Sequence, residues 1–379
     1  MIGSISKIRP CGHHHYYKYA HAKNGIHPDN SNAKNMDLNI IDREFYNDVD
    51  ENNCWNFSLE NATALTNRCF ELGRFTKFKT KTPKLTSAYC MFTADNGYAS
   101  PAITEIEMDY HNLTNVQCLF YGMQLTAIPE NFNPKTTNFH HLTGGNCASY
   151  IAKANGGVFP YYEVLNNATN AEYLMRHDDY AMDDRYTFDK VTQARGMCYC
   201  NNRRGITKLS KNLSFKNLQD MSQMFTQSSA APEPAHLTTF QTVDEMSNLT
   251  TANNAFVNNK NFSSLYPDYD SFNWPKLSTA TNMFTNCILD KPSIVKLSNA
   301  LPDWSNDTAT HKITIGCHID HKYDPEVNLA LKKLQSSYIT PIEELGGSLS
   351  ETVTSDKKWT ITVQWNGTVT ENAYPAPTV

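Results

Sequence analysis

Leu277-Ser-Thr-Ala-Thr-Asn-Met-Phe284 decides the fold, because its pattern returns along the chain. Clear copies are Leu85-Thr-Ser-Ala-Tyr-Cys-Met-Phe92, Leu113-Thr-Asn-Val-Gln-Cys-Leu-Phe120, Leu218-Gln-Asp-Met-Ser-Gln-Met-Phe225 and Leu249-Thr-Thr-Ala-Asn-Asn-Ala-Phe256. Weaker copies start at Leu142, Ala168 and Val191, and a shifted one runs from Ala62 to Phe70. The apolar positions are the first, fourth, seventh and eighth, as in Leu277, Ala280, Met283 and Phe284. This is helical spacing, so each unit is expected to open with a short helix. Asn112, Asn167, Asn217 and Asn248 precede their copies and are expected to cap those helices by accepting first-turn amide protons.

A second signature follows the turn: Ile103-Thr-Glu-Ile106, Leu125-Thr-Ala-Ile128, Ile206-Thr-Lys-Leu209, Leu237-Thr-Thr-Phe240 and Phe262-Ser-Ser-Leu265. Each reads as one short strand. One helix and one strand about every 27 residues is the arithmetic of a leucine-rich-repeat-like horseshoe, an α/β repeat solenoid. A single unit cannot bury its own apolar face, so neighbours must stack into one continuous core.

These units resemble the BspA-like leucine-rich repeats, typified by Met-Phe-x-x-Cys-x-x-Leu segments, and Met283-Phe284-Thr-Asn-Cys287 fits best. Copies between residues 142 and 215 lack the Met-Phe pair, so a bend or an inserted patch is expected there. Such repeats occur in bacterial surface adhesins, protist surface proteins and predicted tail or baseplate proteins of gut bacteriophages. The resemblance therefore implies a surface-binding role. It leaves three readings open: a bacteriophage tail, baseplate or tail-fibre component, a secreted bacterial or protist adhesin, and a purely structural virion spacer.

The division expected is an N-terminal cap or attachment segment over residues 1–60, a solenoid over 61–310, and a C-terminal cap over 311–379. His311-Lys-Ile-Thr-Ile315 alternates like a last strand, and Asp324-Pro325 starts a helix with Val327, Leu331, Leu334 and Tyr338 on one face. Trp359, Ile361, Val363 and Trp365 alternate up to Asn366-Gly367, which reads as a terminal hairpin turn.

Composition narrows the function classes. The net charge of -5 comes without a clustered basic stripe, which speaks against nucleic-acid binding. No run reaches the length of a membrane span, and the N-terminal segment has no secretory h-region, so folding in a cytoplasm and assembly in a virion are expected. The chain has 10 cysteines and no framework of close pairs. Cys69, Cys90, Cys118, Cys147, Cys198 and Cys287 fall near the recurrent aromatic position, where a free thiol acts as a small buried hydrophobe.

Nothing in the sequence carries catalysis or a cofactor: no nucleophile motif, phosphate loop, dinucleotide glycine pattern or zincin helix is present. His13 and His15, near Cys11, His21 and His27, have a spacing that places metal ligands around the axis of a trimer, but a polar exposed arm is the favoured reading and no metal is expected. Cys317, His318, Asp320 and His321 form a second such cluster. Asp178, Asp179, Asp183 and Asp184 fit no calcium loop and read as a solvated acidic segment. Binding remains, and its expected tools are aromatics in the variable turns: Tyr161, Tyr162, Tyr199, Tyr266, Tyr269 and Trp274. The expected partners are other virion proteins or a host-surface protein or glycan.

Overall fold

The computed structural model describes residues 54–55, 59–66, 75–92, 103–201, 205–231, 236–349, 353 and 356–377. The N-terminal segment up to residue 53, with His13 and His15, lies outside them, as does Cys69. The described residues fall into two compact units that divide after Tyr180, within the span expected to be one array.

In the first unit, strands Cys54–Trp55, Lys77–Lys79 and Glu105–Glu107 form a parallel sheet that aligns Trp55, Phe78 and Ile106. The Trp55 and Phe78 rings stack at 5.1 Å, and Phe92 meets Phe78 edge-on at 5.1 Å. On the solvent side Lys79 bridges Glu105 at 2.5 Å and Glu107 at 3.5 Å. Parallel bridges then join Ser87 to Asn115 and Asn138 to Asn170, the third residues of successive copies. Helix Cys147–Ala154 buries Cys147, Ala148, Ile151 and Ala152.

In the second unit the same third position runs as a parallel ladder from Gln193 to Asp220, Thr251 and Thr279. Leu277, Ala280, Met283 and Phe284 are fully buried, so the four apolar positions point inward as their spacing requires. Phe225, Phe256 and Phe284 stack at 5.4 and 5.3 Å, one ring per copy. Each such ring removes roughly 2–3 kcal/mol worth of apolar surface from water.

The expected helix is absent from these copies. Their amides bond to the next copy instead: Ala252 N–H to Thr279 O at 2.8 Å, Asn254 N–H to Thr281 O at 2.9 Å and Phe256 N–H to Met283 O at 2.9 Å. The sixth residue holds left-handed backbone in Cys90, Cys118, Tyr173, Gln223, Asn254 and Asn282, with φ between 50° and 60°. A left-handed residue every copy cannot continue a right-handed helix. The strand signature is also shorter than expected. Only Glu105–Glu107, Thr239–Phe240 and Ser264–Leu265 form strands, and Leu125-Thr-Ala-Ile128 does not.

The capping asparagines are corrected for the same reason. Asn112, Asn217 and Asn248 donate their side-chain amides to the carbonyls of Pro83, Asp189 and Lys216, in the preceding copies, while Asn167 donates to Glu163 O, four residues back. With no helix to follow, there are no first-turn amides to accept, and the long sequence separation of the first three bonds shows that those side chains tie copies together. Lys135 and Lys276 complete the link by donating to Asn112 Oδ1 and Asn248 Oδ1 at 2.8 and 2.9 Å.

Helix Lys291–Ala300 starts at Asp290, whose carboxylate accepts from Ser293 N–H, and ends where Lys357 Nζ donates to the carbonyls of Ser298, Asn299 and Leu301. A cation there satisfies orphan carbonyls and the helix dipole together. Strand His311–His318 pairs in parallel with Trp359–Asn366 over its whole length, so the expected terminal hairpin is not formed. Past Gly367 the chain returns to Asp320, which accepts from the amide and hydroxyl of Thr370, while Tyr374 N–H bonds Asp320 O at 2.8 Å. That anchoring replaces the second hairpin strand. Helix Pro325–Leu334, capped by Asp324, buries Val327, Leu331 and Leu334.

Candidate binding surfaces

The second position of the copies carries a row of hydroxyls. In the first unit Thr114 Oγ1 donates to Thr86 O at 3.1 Å, and the Thr137 and Thr169 hydroxyls lie 2.9 Å apart. In the second, Thr250 Oγ1 donates to Gln219 O at 3.1 Å and Ser278 Oγ to Thr250 O at 3.2 Å. Thr114, Thr250 and Ser278 each spend the hydroxyl proton on the preceding copy, which holds the oxygen in register and leaves lone pairs toward solvent. Asparagines form a parallel row: Asn282 Nδ2 reaches Asn254 Oδ1 at 3.2 Å.

The first unit also carries a stacked aromatic patch. His140 and His141 stack at 4.6 Å, His141 and Tyr173 at 4.7 Å, and Tyr121 meets His141 edge-on at 5.5 Å. The Arg176 guanidinium lies 5.4 Å from the Tyr173 ring centre. Burial, aided by His140, Arg176 and His177, pulls His141 down to about 3, and burial with Arg176 pulls His177 down to about 4. Burial lowers His140 as well. At neutral pH these imidazoles are uncharged, so the patch combines neutral rings with one permanent cation, Arg176.

Sequence reasoning missed this patch because it began the weak copy at Leu142. The bridge from Asn138 to Asn170 sets the register, which places Thr136 first, Phe139 fourth and Leu142 seventh. His141 then occupies the left-handed sixth position, φ 55°, beside Tyr173 at φ 52° in the next copy. Buried Phe139 and Leu142, three apart, were the available signal.

The six aromatics chosen from sequence do not share one surface. Tyr266 and Trp274 are core: they are 3 % and 0 % exposed, and the Tyr266 hydroxyl bonds that of Thr242 at 2.8 Å. Burial pushes that phenol up to about 12. Both rings are enclosed, where Tyr266 stacks on Phe272 at 4.3 Å and Phe272 tilts against Trp274 at 4.7 Å. Tyr269 is 40 % exposed, 6.2 Å from the Tyr266 ring. Tyr161, Tyr162 and Tyr199 are half-buried, with Tyr161 against Phe159 at 5.7 Å.

His13 and His15 lie outside the described residues, and several of the other candidate ligands have partners of their own. Among the described residues no three His, Cys, Asp or Glu side chains gather as a metal site. Cys317 is buried in its strand, and Asp320 holds the C-terminal segment. Asp178 accepts from Ser149 N–H at 2.8 Å. Arg185 pairs with Asp183 at 2.6 Å and draws its carboxyl down to about 2, while Lys208 reaches Asp184 at 3.0 Å. The acidic segment is thus partnered, in part by cations. Cys54, Cys90, Cys118, Cys147, Cys198, Cys200, Cys287 and Cys317 are not joined in disulfides.

No helix of the described residues is long and apolar enough to cross a membrane. No protein-family model matches this chain, and neither a curated protein nor a solved structure matches it.

Proposed function

We propose that this chain is a non-enzymatic binding or structural protein whose copies stack as a leucine-rich-repeat-like solenoid. In this reading it is a bacteriophage tail, baseplate or tail-fibre component that attaches to the host surface or to neighbouring virion subunits. The support comes from the register-held rows of hydroxyl side chains on solvent-facing ladders in each unit, with a cross-copy asparagine pair beside them in the second. Arrays of this kind offer many weak, regularly spaced polar contacts, which suit a repetitive partner such as a surface polymer or a symmetric particle.

The test is native location, by mass spectrometry of purified phage particles and of host envelope fractions, with immunogold labelling. Labelling on a tail or baseplate is the expected result. Recovery from cell envelopes alone overturns it and favours a secreted adhesin.

A further inference from the structure

A groove of about 270 Å³ opens in the second unit between residues 207–211 and residues 236–241, with Pro267 and Asp268 at its far lip. It exists because two successive copies part there. On one side of it Cys200 N–H bonds Thr226 O at 2.9 Å, and on the other Val243 N–H bonds Leu213 O at 2.7 Å. Between these points no backbone hydrogen bond joins residues 207–211 to residues 237–241 among those described.

The parallel pairing shows which main-chain groups face the opening. Lys208 bonds toward Ala181, with Met182 N–H on Lys208 O at 2.9 Å, so the groups of Thr207 and Leu209 turn the other way. Thr239 pairs with Ser264, and the accepting carbonyls are those of Thr238 and Phe240, so the N–H and C=O of Thr239 face the groove. In a parallel ladder alternate residues serve opposite neighbours. Two sheet edges therefore look at each other across a gap with their hydrogen-bonding capacity unspent.

The side chains add charge of both signs. Lys208 and Lys211, 58 % and 70 % exposed, share the single carboxylate of Asp184 at 3.0 and 3.7 Å, which leaves one positive charge among these three groups. At the opposite lip Asp268 Oδ2 accepts from Gln241 Nε2 at 2.7 Å, and Oδ1 remains open as an acceptor. Between the lips the exposed side chains are the threonines Thr207, Thr238 and Thr239.

We propose that this groove binds a single acidic sugar residue, its carboxylate at Lys208 and Lys211 and its ring hydroxyls on Thr239, Asp268 and the open main-chain groups. Size and edge length both favour a compact ligand. The volume falls just below the range of drug-sized pockets, about 300–1,000 Å³. The unpaired edges run only over residues 207–211 and 237–241, which is short for an added peptide strand. Hydroxyls bonded to an acceptor and to main-chain donors, beside a carboxylate on a cation, match the functional groups on offer.

The proposal rests on the reading of the chain as a surface-binding protein and names one site of it. The test is calorimetric titration of the full chain with glucuronic acid, with glucose and acetate as partial probes, and with an oligosaccharide ending in glucuronic acid. Saturable binding of glucuronic acid is expected, at least about tenfold tighter than glucose or acetate, because only it engages both lips. Lys208→Met with Lys211→Met, both on exposed side chains, weakens it by about tenfold or more with an unchanged melting temperature. Hydrogen exchange slows at the segments holding Leu209 and Thr239 when the sugar is bound. Equal or tighter binding of the oligosaccharide places the natural ligand on a glycan, and its exclusion points to free sugar.

No saturation by either sugar acid, or an undiminished affinity in the double variant, overturns the proposal. Binding by an extended peptide in place of the sugar does so too. Location on a particle without sugar binding sinks the groove alone, whereas sugar binding by a protein found on neither particle nor envelope sinks the location reading alone.

Discussion

Asn286 donates its side-chain amide to Oδ1 of Asn258 at 2.7 Å across 28 residues of sequence, and both residues hold left-handed backbone, with φ 60° and 64°. Asn258 in turn donates to Gln227 O at 2.9 Å, so one type of side chain ties three successive copies. Asparagine serves both needs here, because it tolerates positive φ and carries a donor and an acceptor.

Asn286→Ala loses both the bond and the backbone fit. The expected cost is about 2 kcal/mol, roughly half from each source. Asn286→Gly keeps the backbone fit and costs about 1 kcal/mol. Urea unfolding of the two variants separates the contributions, and equal losses exclude the backbone share.

Gly316 packs where no side chain fits: a Cβ there meets Phe284 O at 2.4 Å and Cys287 O at 2.6 Å. Gly316→Ala must force the strand His311–His318 away from the copy that begins at Leu277. A loss of about 3 kcal/mol or more follows from such overpacking against backbone. A melting temperature within a degree or two of the parent protein's contradicts the close approach.

Acid should weaken the first unit through its imidazoles. His141 and His177 sit at about 3 and 4 in the folded chain, against an ordinary value near 6.5 when unfolded. Between those values the unfolded chain binds more protons, so stability rises with pH. The contribution is complete above about pH 6.5 and is lost progressively as pH falls toward 4 and 3. Unfolding followed from pH 7.5 to 4.5 should show a decline that flattens in His141→Gln with His177→Gln. An identical slope in that variant rules out these two groups as its source.

Two aromatics that read alike in sequence should behave in opposite ways. Trp274, fully buried, is expected to cost about 3–5 kcal/mol on truncation to Ala. Tyr269, exposed, is expected to change stability by no more than about 0.5 kcal/mol. Thermal unfolding of the pair checks the assignment of core and surface, and similar shifts contradict it.

The recurrence of Leu, Ala, Met and Phe at fixed offsets was enough to name the buried positions, because burial depends on which side chains are apolar and how they are spaced. Leu277, Ala280, Met283 and Phe284 are all interior. The helix start at Asp324-Pro325 was legible for a local reason, since Asp324 accepts from its own Glu326 and Val327 amides. The conformation of the copies was not legible. Offsets of three and four fit a helix as well as a turn-rich coil, and the choice rests on amide partners such as Thr279 O for Ala252, 27 residues away. The same holds for the binding surfaces. The stacking of His141 on Tyr173, the burial of Tyr266 and the parting of residues 207–211 from residues 237–241 all depend on how one copy registers against the next. Composition and spacing within a copy determined its inward face. The alignment between copies, set by long-range hydrogen bonds, decided which outward side chains meet.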